Sequence, residues 1–589
     1  MLNKTSTKTA NETPIETKKN GLPGKLFFDD ALIIVIMAVL AGCGLIYEYL
    51  LSHYAARVLG AVETTIFAMI GIMIVSMGLG SFAAKIFKNP FTSFAWLELL
   101  IAFLGLSSVL IIATIFAFAN TLPKIIGDTY GLPPDLIPEG GAFRFMQEFA
   151  SLSPYIMGFI LGFLIGMEIP LIARIREALY EKNLAHNAGT IYGADYIGAG
   201  IGAAVWVLFM LSLEITTAAV FTASANLLAG LAFYIRYHKK IKFSPAFLLC
   251  QLILVAFALN IFKNGSNWDS ELEATLYKDN VIYSEHSQFQ HVTVTKRIMN
   301  PDTPPIYSLF INGRTQFSSF DEKIYHEMLV HPVMSASASH DKILIIGGGD
   351  GLALREVFKW NPKKVTMLEL DKTIVDLFSS EKFDEKSGTI INKALIELNQ
   401  HSLNDKRVNI IYGDAFLSID SLLQQQSLFD TIIIDLPDPS HPDLNKLYSK
   451  RFYEKTKQLL SGSGAMVVQS TSPYHAKNAF LSIGKTVKAA GYIHVEQFHQ
   501  NIPSFGEWGW TIATKNGNSA LYRLNQTHSL PVKTSWLTPE LIKSSFNFPL
   551  NFFANLDSIN INTLSSHSLY QYHQKAWQQE QGIYRATKE

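Results

Sequence analysis

At 589 residues the chain is long enough for several domains. Lys+Arg and Asp+Glu balance at 49 each with no basic block, which argues against a nucleic-acid partner, while a 48% hydrophobic and 12% aromatic content suits a part-membrane protein. The two cysteines, Cys43 and Cys250, both sit in apolar stretches, which excludes a disulfide framework and a Cys-based metal site.

Residues 1–29, rich in Lys, Thr and Asn, predict a disordered tail. The apolar span that follows has no small-residue cleavage site and reads as an anchor, not a removed signal peptide. Seven apolar segments of about 20 residues each run near 30–52, 63–87, 93–119, 152–173, 189–212, 214–235 and 245–263, predicting a transmembrane helical bundle over 30–263 in contact with a lipid bilayer. Gly158, Gly162 and Gly166 fall four apart, as do Gly198 and Gly202. On a helix such glycines share one face and let neighbours approach closely. Glu48, Glu98, Glu168, Asp195 and Glu214 lie in or beside these spans. An acid there marks either a cation or polyamine path between helices or ordinary interhelical and headgroup contacts. Lys4, Lys8, Lys18, Lys19 and Lys25 place the N-terminus in the cytoplasm, and basic residues in alternate loops agree. Seven spans would then leave everything after 263 outside, whereas a cofactor made in the cytosol favours the inside.

Residues 280–320 switch to strand periodicity. Val292-Thr293-Val294 and Leu309-Phe310-Ile311 read as strands, and Asn312-Gly313 as a type I′ turn, so a small β-hairpin domain is expected. A Rossmann-like domain is predicted over 321–530. Its centre is the run Ile343–Ile346, the loop Gly347-Gly348-Gly349-Asp350-Gly351, a helix-like stretch, and a second apolar run ending at Glu369. A carboxylate inside that loop repels phosphate and attracts a cation, which points to a positively charged adenosyl ligand instead of NAD. Val408–Tyr412, Thr431–Asp435 and Ala465–Gln469 are further strands. Glu369, Asp414, Asp435 and Gln469 all fall at strand ends, where the ligands of parallel sheets bind. Residues 531–589 predict a partly helical tail without obvious chemistry.

The strings FINGRTQFSSFDEKIYHEMLVHP (310–332), ILIIGGGDG (343–351), MLELD (367–371), GDA (413–415), IIIDLPDP (432–439) and LYSKRFY (447–453) together resemble the spermidine/spermine synthase family of aminopropyltransferases. AGCGLIYEYLLS (41–52) and GMEIPL (166–171) resemble its multi-pass membrane variety. The fold implied is an α-helical membrane bundle followed by an α/β Rossmann-like, methyltransferase-type domain with a small N-terminal β-domain. The reaction implied is transfer of the aminopropyl group of decarboxylated S-adenosylmethionine, a co-substrate and not a bound cofactor, to an amine, most simply putrescine, releasing methylthioadenosine. By resemblance Gln290 and Glu369 hold the nucleoside, Asp414 and Ala415 contact adenine, and Pro442 lines its pocket. Asp350 pairs with the aminopropyl ammonium. Tyr325 and His326 face the aminopropyl chain or acceptor, Asp438 binds the amine, and Asp435 is the general base. Family members often pair, so a homo-oligomer is consistent, and no metal site is implied.

Three departures fall on the acceptor side. Leu436 and Pro437 replace small hydroxyl residues, Gln469-Ser470-Thr471 replaces Gln-Gly-Glu, and Phe505 replaces a common Tyr. Two further readings stay open: a membrane polyamine transporter or sensor with a degenerate synthase domain, and an S-adenosylmethionine-dependent methyltransferase, against which Asp350 argues.

Overall fold

A computed structural model describes residues 24–59, 62–130, 141–180, 187–287, 289–384 and 388–580. Two compact units divide the chain, one built from residues up to Ala55 with Thr65–Asp269, the other from Ala56–Thr64 with Ser270 onward.

The first unit is helical: α1 (Gly24–Leu59), α2 (Val62–Ala83), α3 (Pro90–Thr129), α4 (Ala142–Ile165), α5 (Glu168–Tyr180), α6 (Asn187–Leu208), α7 (Ile215–Tyr237) and α8 (Ser244–Ala274). Among the described residues, seven helical segments are long and apolar enough to cross a membrane, α4 and α5 counting together. Helix α1 already begins at Gly24, inside the stretch expected to be disordered; residues 1–23 lie outside the described residues. Asp29 and Asp30 explain the early start. Arg236 donates to Asp29 at 2.5 and 2.7 Å, and Arg176 to Asp30 at 2.7 and 3.0 Å, which ties down the helix's opening turns. Helix α8 likewise runs on past residue 263 to Ala274.

The glycine stripes seat helices on one another. A Cβ at Gly198 would lie 2.0 Å from the Ala38 carbonyl oxygen, and one at Gly166 2.0 Å from that of Met77, so α6 rests on α1 and the end of α4 on α2.

In the second unit β1 (Asn280–His286), β2 (His291–Arg297), β3 (Ile306–Ile311) and β4 (Arg314–Ser318) form an antiparallel sheet in chain order. Asn312 and Gly313 take φ of +50° and +76° between β3 and β4, as a type I′ turn requires. Next come α9 (Glu322–Ala336), β5 (Lys342–Gly347), α10 (Leu352–Phe358), β6 (Lys364–Glu369) and α11 (Lys372–Ser379). A short pair, β7 (Phe383–Asp384) and β8 (Thr389–Ile390), leads to α12 (Lys393–Leu398), β9 (Val408–Tyr412), α13 (Ala415–Gln424) and β10 (Phe429–Asp435). Then follow α14 (Lys450–Leu459), β11 (Leu460–Gln469), α15 (Lys477–Ala489), β12 (His494–Ile502), β13 (Gly506–Thr514), α16 (Ala520–Asn525), α17 (Pro539–Ser544) and α18 (Ser568–Glu580).

The main sheet has the order β12-β13-β11-β10-β5-β6-β9. Strands β11 to β9 are parallel, while β13 is antiparallel to both its neighbours. This is the Rossmann-like, methyltransferase-type arrangement. Its strands read as unbroken apolar runs because both faces are covered. Ile343 and Ile345 enter one core, Leu344 and Ile346 the other. The chain leaves β5 towards β6 on one side and returns to β10 on the other, which opens a crevice at the carboxyl ends of β5 and β10.

Arg176 is buried and held by Asp30 together with the Asn187 side chain at 2.8 Å. Removing it leaves the partly buried Asp30 carboxylate without its cation, so Arg176→Met is expected to cost about 2 kcal/mol. The effect is read as a lowered thermal unfolding midpoint in detergent by circular dichroism, and an unchanged midpoint would refute it.

Candidate active site

The glycine loop is shaped by the carboxylates beneath it. Asp435, the last residue of β10, pairs in register with Gly347. Gly347 has φ +85°, and a Cβ there would lie 2.0 Å from the Asp435 carbonyl oxygen. A Cβ on Gly349 would sit 2.9 Å from Glu369 Oε2. Only glycine lets the loop rest on both acids. Asp350 Oδ1 accepts from Leu352 N at 2.9 Å, Asn399 Nδ2 donates to the Asp350 carbonyl at 2.9 Å, and Ser402 Oγ to that of Gly351 at 2.7 Å.

Glu369 is buried at the end of β6, its Oε1 accepting from Leu370 N at 2.8 Å and Asp371 N at 3.2 Å. Burial pushes this carboxyl up to about 7 against the pull of those two N–H groups, with the charges of Asp350 and Asp371 adding to the rise. Asp371 caps α11 and accepts from Ser287 Oγ at 2.6 Å; that oxygen in turn accepts from Gln290 N at 3.0 Å. The loop carrying Gln290 is thereby tied to the end of β6. Beside them Asp414 caps α13, whose first residue is Ala415, and pairs with Lys446. Lys446 belongs to a 3₁₀ segment that starts at Pro442. The structure thus gathers Gln290, Glu369, Asp414, Ala415 and Pro442 through the ends of β6 and β9.

The other half is built from α9. Tyr325 donates to Asp435 Oδ1 at 2.7 Å, its ring 5.6 Å from that of Trp510 and 6.4 Å from that of Phe505. His326 Nδ1 meets Glu322 Oε2 at 2.9 Å, and Glu322 also receives two bonds from Arg355, each 2.9 Å. Burial alone would lower His326, but the Glu322 hydrogen bond and charge, with Asp350 and Asp435 beyond, hold it up at about 9. It is a cation at neutral pH. For Asp435 burial is the largest effect. The His326 cation and the Tyr325 hydrogen bond pull it down and Asp350 pushes it up, leaving it at about 6. Burial raises Asp350 as well.

Asp438 lies three residues past the end of β10. Its Oδ2 lies 3.2 Å from Thr471 Oγ1 and 3.2 Å from His573 Nε2. Gln469 Nε2 donates to Tyr448 Oη at 2.7 Å and the Leu436 carbonyl at 2.9 Å, and its Oε1 accepts from Thr471 N at 3.0 Å. Thr471 sits at φ +58°, strained for a β-branched residue, where the Gln469 contact and Gly509 N at 2.9 Å hold it. Phe505 offers only a ring at its position.

The partly helical tail reaches this cluster, because α18 carries the His573 imidazole onto Asp438. The same Nε2 lies 3.0 Å from the Trp577 indole N–H. One nitrogen cannot donate to Asp438 and accept from Trp577 together. Sequence reasoning missed it, along with Lys446, Ser287 and the Glu322–Arg355 pair. The only local sign was the His573/Trp577 spacing on a helix.

Glu327, His331 and Glu356 also come together, in a geometry that could suit a metal ion. Their atoms are already engaged. Glu327 accepts from the backbone N–H groups of Ser535, Trp536 and Leu537 at 2.6, 3.0 and 2.8 Å. His331 Nδ1 accepts from Trp360 at 3.0 Å, which leaves Nε2–H to donate to Glu356 at 3.0 Å. The trio is a hydrogen-bonded joint fastening residues 535–537 to α9.

The family of the Spermine/spermidine synthase domain matches residues 322–525. The polyamine aminopropyltransferase of Shewanella oneidensis is 52% identical over 562 residues, covering 95% of this chain and 97% of its own. The chain belongs to the polyamine aminopropyltransferases. Polyamine aminopropyltransferase 1 of Streptomyces coelicolor is 32% identical over 93% of this chain and 94% of its own. A crystal structure of a spermidine synthase in complex with the transition state analogue AdoDATO matches at 23% identity and a TM-score of 0.41, over 47% of this chain and 88% of that one. As an aminopropyltransferase this chain is an enzyme of polyamine biosynthesis, and the carboxylates described above line its main crevice.

The raised Asp435 carboxyl has a consequence for stability. Its ordinary value is 3.8 and its folded value about 6, so the folded state binds the proton more tightly, and stability falls as pH rises through that window. Asp435→Asn lacks this loss. The variant is expected to be more stable than the parent at pH 7, by about 2 kcal/mol, with the gain vanishing below pH about 4. Urea unfolding across pH measures it, and a gain independent of pH would refute the cause.

Proposed function

We propose that the second unit transfers the aminopropyl group of decarboxylated S-adenosylmethionine to putrescine with Asp435 as the base, and that the seven apolar helices anchor it in the cell membrane. The observation that carries the reading is Asp435 itself. It is a half-buried carboxyl at about 6, fixed by Tyr325, abutting the glycine loop on one side and the acceptor-facing Asp438 segment on the other.

An alkyl ammonium has no lone pair, and with a pKa of about 10.4 only about one amine in a thousand is neutral at pH 7. In the proposed step the acceptor nitrogen attacks the carbon beside the sulfonium. The C–S bond breaks, methylthioadenosine leaves with the electron pair, and the nitrogen's proton passes to Asp435. A base raised towards neutrality takes that proton more readily than an ordinary aspartate. Glu369 accepts from the two ribose hydroxyls, with Gln290 alongside, while Asp414, Ala415 and Pro442 frame the adenine. Asp350 receives the aminopropyl ammonium. Intact S-adenosylmethionine carries a carboxylate at that end, which Asp350 repels. Tyr325 and His326 flank the transferred chain, and Asp438 takes the distal ammonium of the acceptor.

Purified protein in detergent, given decarboxylated S-adenosylmethionine and a panel of amines, is expected to release methylthioadenosine with putrescine. Asp435→Asn is expected to lose turnover by a factor of about 10³ while still binding donor, and Asp350→Asn to bind donor about tenfold more weakly. Release that depends on no amine, or a fully active Asp435→Asn, would sink the assignment. Since His573 positions Asp438, His573→Ala is expected to raise the KM for putrescine several-fold with kcat and donor KM little changed. An effect confined to kcat would remove it from the acceptor side.

A further inference from the structure

The helical unit contains polar groups that the reaction does not use. Glu98 on α3 and Glu168 on α5 are 1% and 2% exposed, Asn226 on α7 is 1% exposed, and Tyr47 on α1 is fully buried. Asn226 Nδ2 donates to Glu98 Oε2 at 3.3 Å. The helices that carry these groups pack closely: a Cβ on Gly105 of α3 would lie 2.3 Å from the Tyr47 ring, and one on Gly44 of α1 3.3 Å from Ile165 Cγ2, three residues before Glu168. Among the described residues, Glu98 Oε1, Glu168 Oε2, Asn226 Oδ1 and the Tyr47 hydroxyl have no hydrogen-bond partner. The amide orientation is forced, because a flipped Asn226 would turn its carbonyl onto a carboxylate.

Three of those four atoms are pure acceptors. A buried acceptor without a donor is costly, and a buried carboxylate without a cation more so. The arginines nearest along the chain are committed elsewhere, Arg176 to Asp30 and Asn187, and Arg174 to the carbonyls of Ala84 and Phe87. The chain also breaks here. Helix α4 stops at Ile165, Gly166 and Met167 form a turn, and α5 restarts at Glu168, all within one apolar segment of 39 residues. Broken helices inside a membrane are tolerated where the freed backbone lines a protein cavity or ligand site.

We propose that Glu98, Glu168, Asn226 and Tyr47 form an intramembrane binding site for an alkylammonium group, the cationic end of a polyamine. A primary ammonium brings three N–H donors and no acceptor, matching the three orphan acceptors. A calcium ion would ask for six or more oxygens, more than this set presents. Protonation of the acids is the competing way to supply donors, and it would leave the labelling described below unchanged by spermidine. The choice of a polyamine as the ammonium rests on the reaction proposed above; the donor deficit of the site does not.

The test is labelling of the full chain in detergent with dicyclohexylcarbodiimide, a lipophilic reagent for buried carboxyls, mapped to individual peptides by mass spectrometry. Spermidine is expected to protect Glu98 and Glu168, and sodium or calcium chloride at equal ionic strength is not. In Glu168→Gln, protection of Glu98 is expected to need about tenfold more spermidine, the loss of one charge-assisted hydrogen bond. Labelling unchanged by spermidine, or equal protection by the inorganic salts, would overturn the site. Methylthioadenosine release from the same sample separates the two proposals. Protection without release sinks the reaction and keeps the site, and release without protection does the reverse.

Discussion

The His326–Glu322 ion pair is the interaction on which the catalytic crevice depends. Asp350, Glu369 and Asp435 crowd the ends of adjacent strands, and nearby like charges in a buried site raise one another. His326 supplies the opposing charge. It remains a cation only because Glu322 is fixed on its other side by two bonds from Arg355. Arg355 is in turn bonded to Glu356, and Glu356 to His331. Alternating charges therefore run from Glu356 through Arg355 and Glu322 to His326, from the protein interior to the strand ends, and each of these four would be costly to bury alone.

This arrangement lets the carboxylates differ in spite of their shared burial. Tyr325 and His326 both stabilise the ionised form of Asp435, whereas Glu369 has backbone N–H groups for that purpose and lies further up the scale. Under the roles proposed above, a carboxyl near neutrality can still accept hydrogen bonds from ribose hydroxyls, and the lower value keeps the proposed base mostly ionised at working pH. The strained Thr471 and the shared His573 nitrogen both lie against Asp438.

The parallel core and the acids at its strand ends were legible in the sequence because their signals are local. A glycine run after an apolar run, and acids at strand ends, follow from backbone geometry over a few residues. Asn312-Gly313 belongs to the same class, since the turn's dihedral angles select its residues. What could not be read depends on contacts between distant segments. Asp29 and Asp30 look like tail residues until Arg236 and Arg176 meet them. Glu327 stands beside Tyr325 and His326 in the sequence, yet it fastens residues 535–537. His573 lies in a polar, glutamine-rich helix, and nothing in its neighbours announces Asp438. The break before Glu168 hides in an unbroken apolar run, because Gly166 serves close packing and helix termination alike.

The joining of α18 to Asp438 also bears on the order in which the site is assembled during synthesis. The ribosome produces the glycine loop, Glu369 and Asp435 in sequence, and each is placed by strands already made or about to be made. His573 emerges only after every strand of the sheet. A nascent chain can therefore complete the cluster of the glycine loop, Glu369 and Asp435 while Asp438 still lacks its neighbour on α18, and the two halves of one crevice mature at different times.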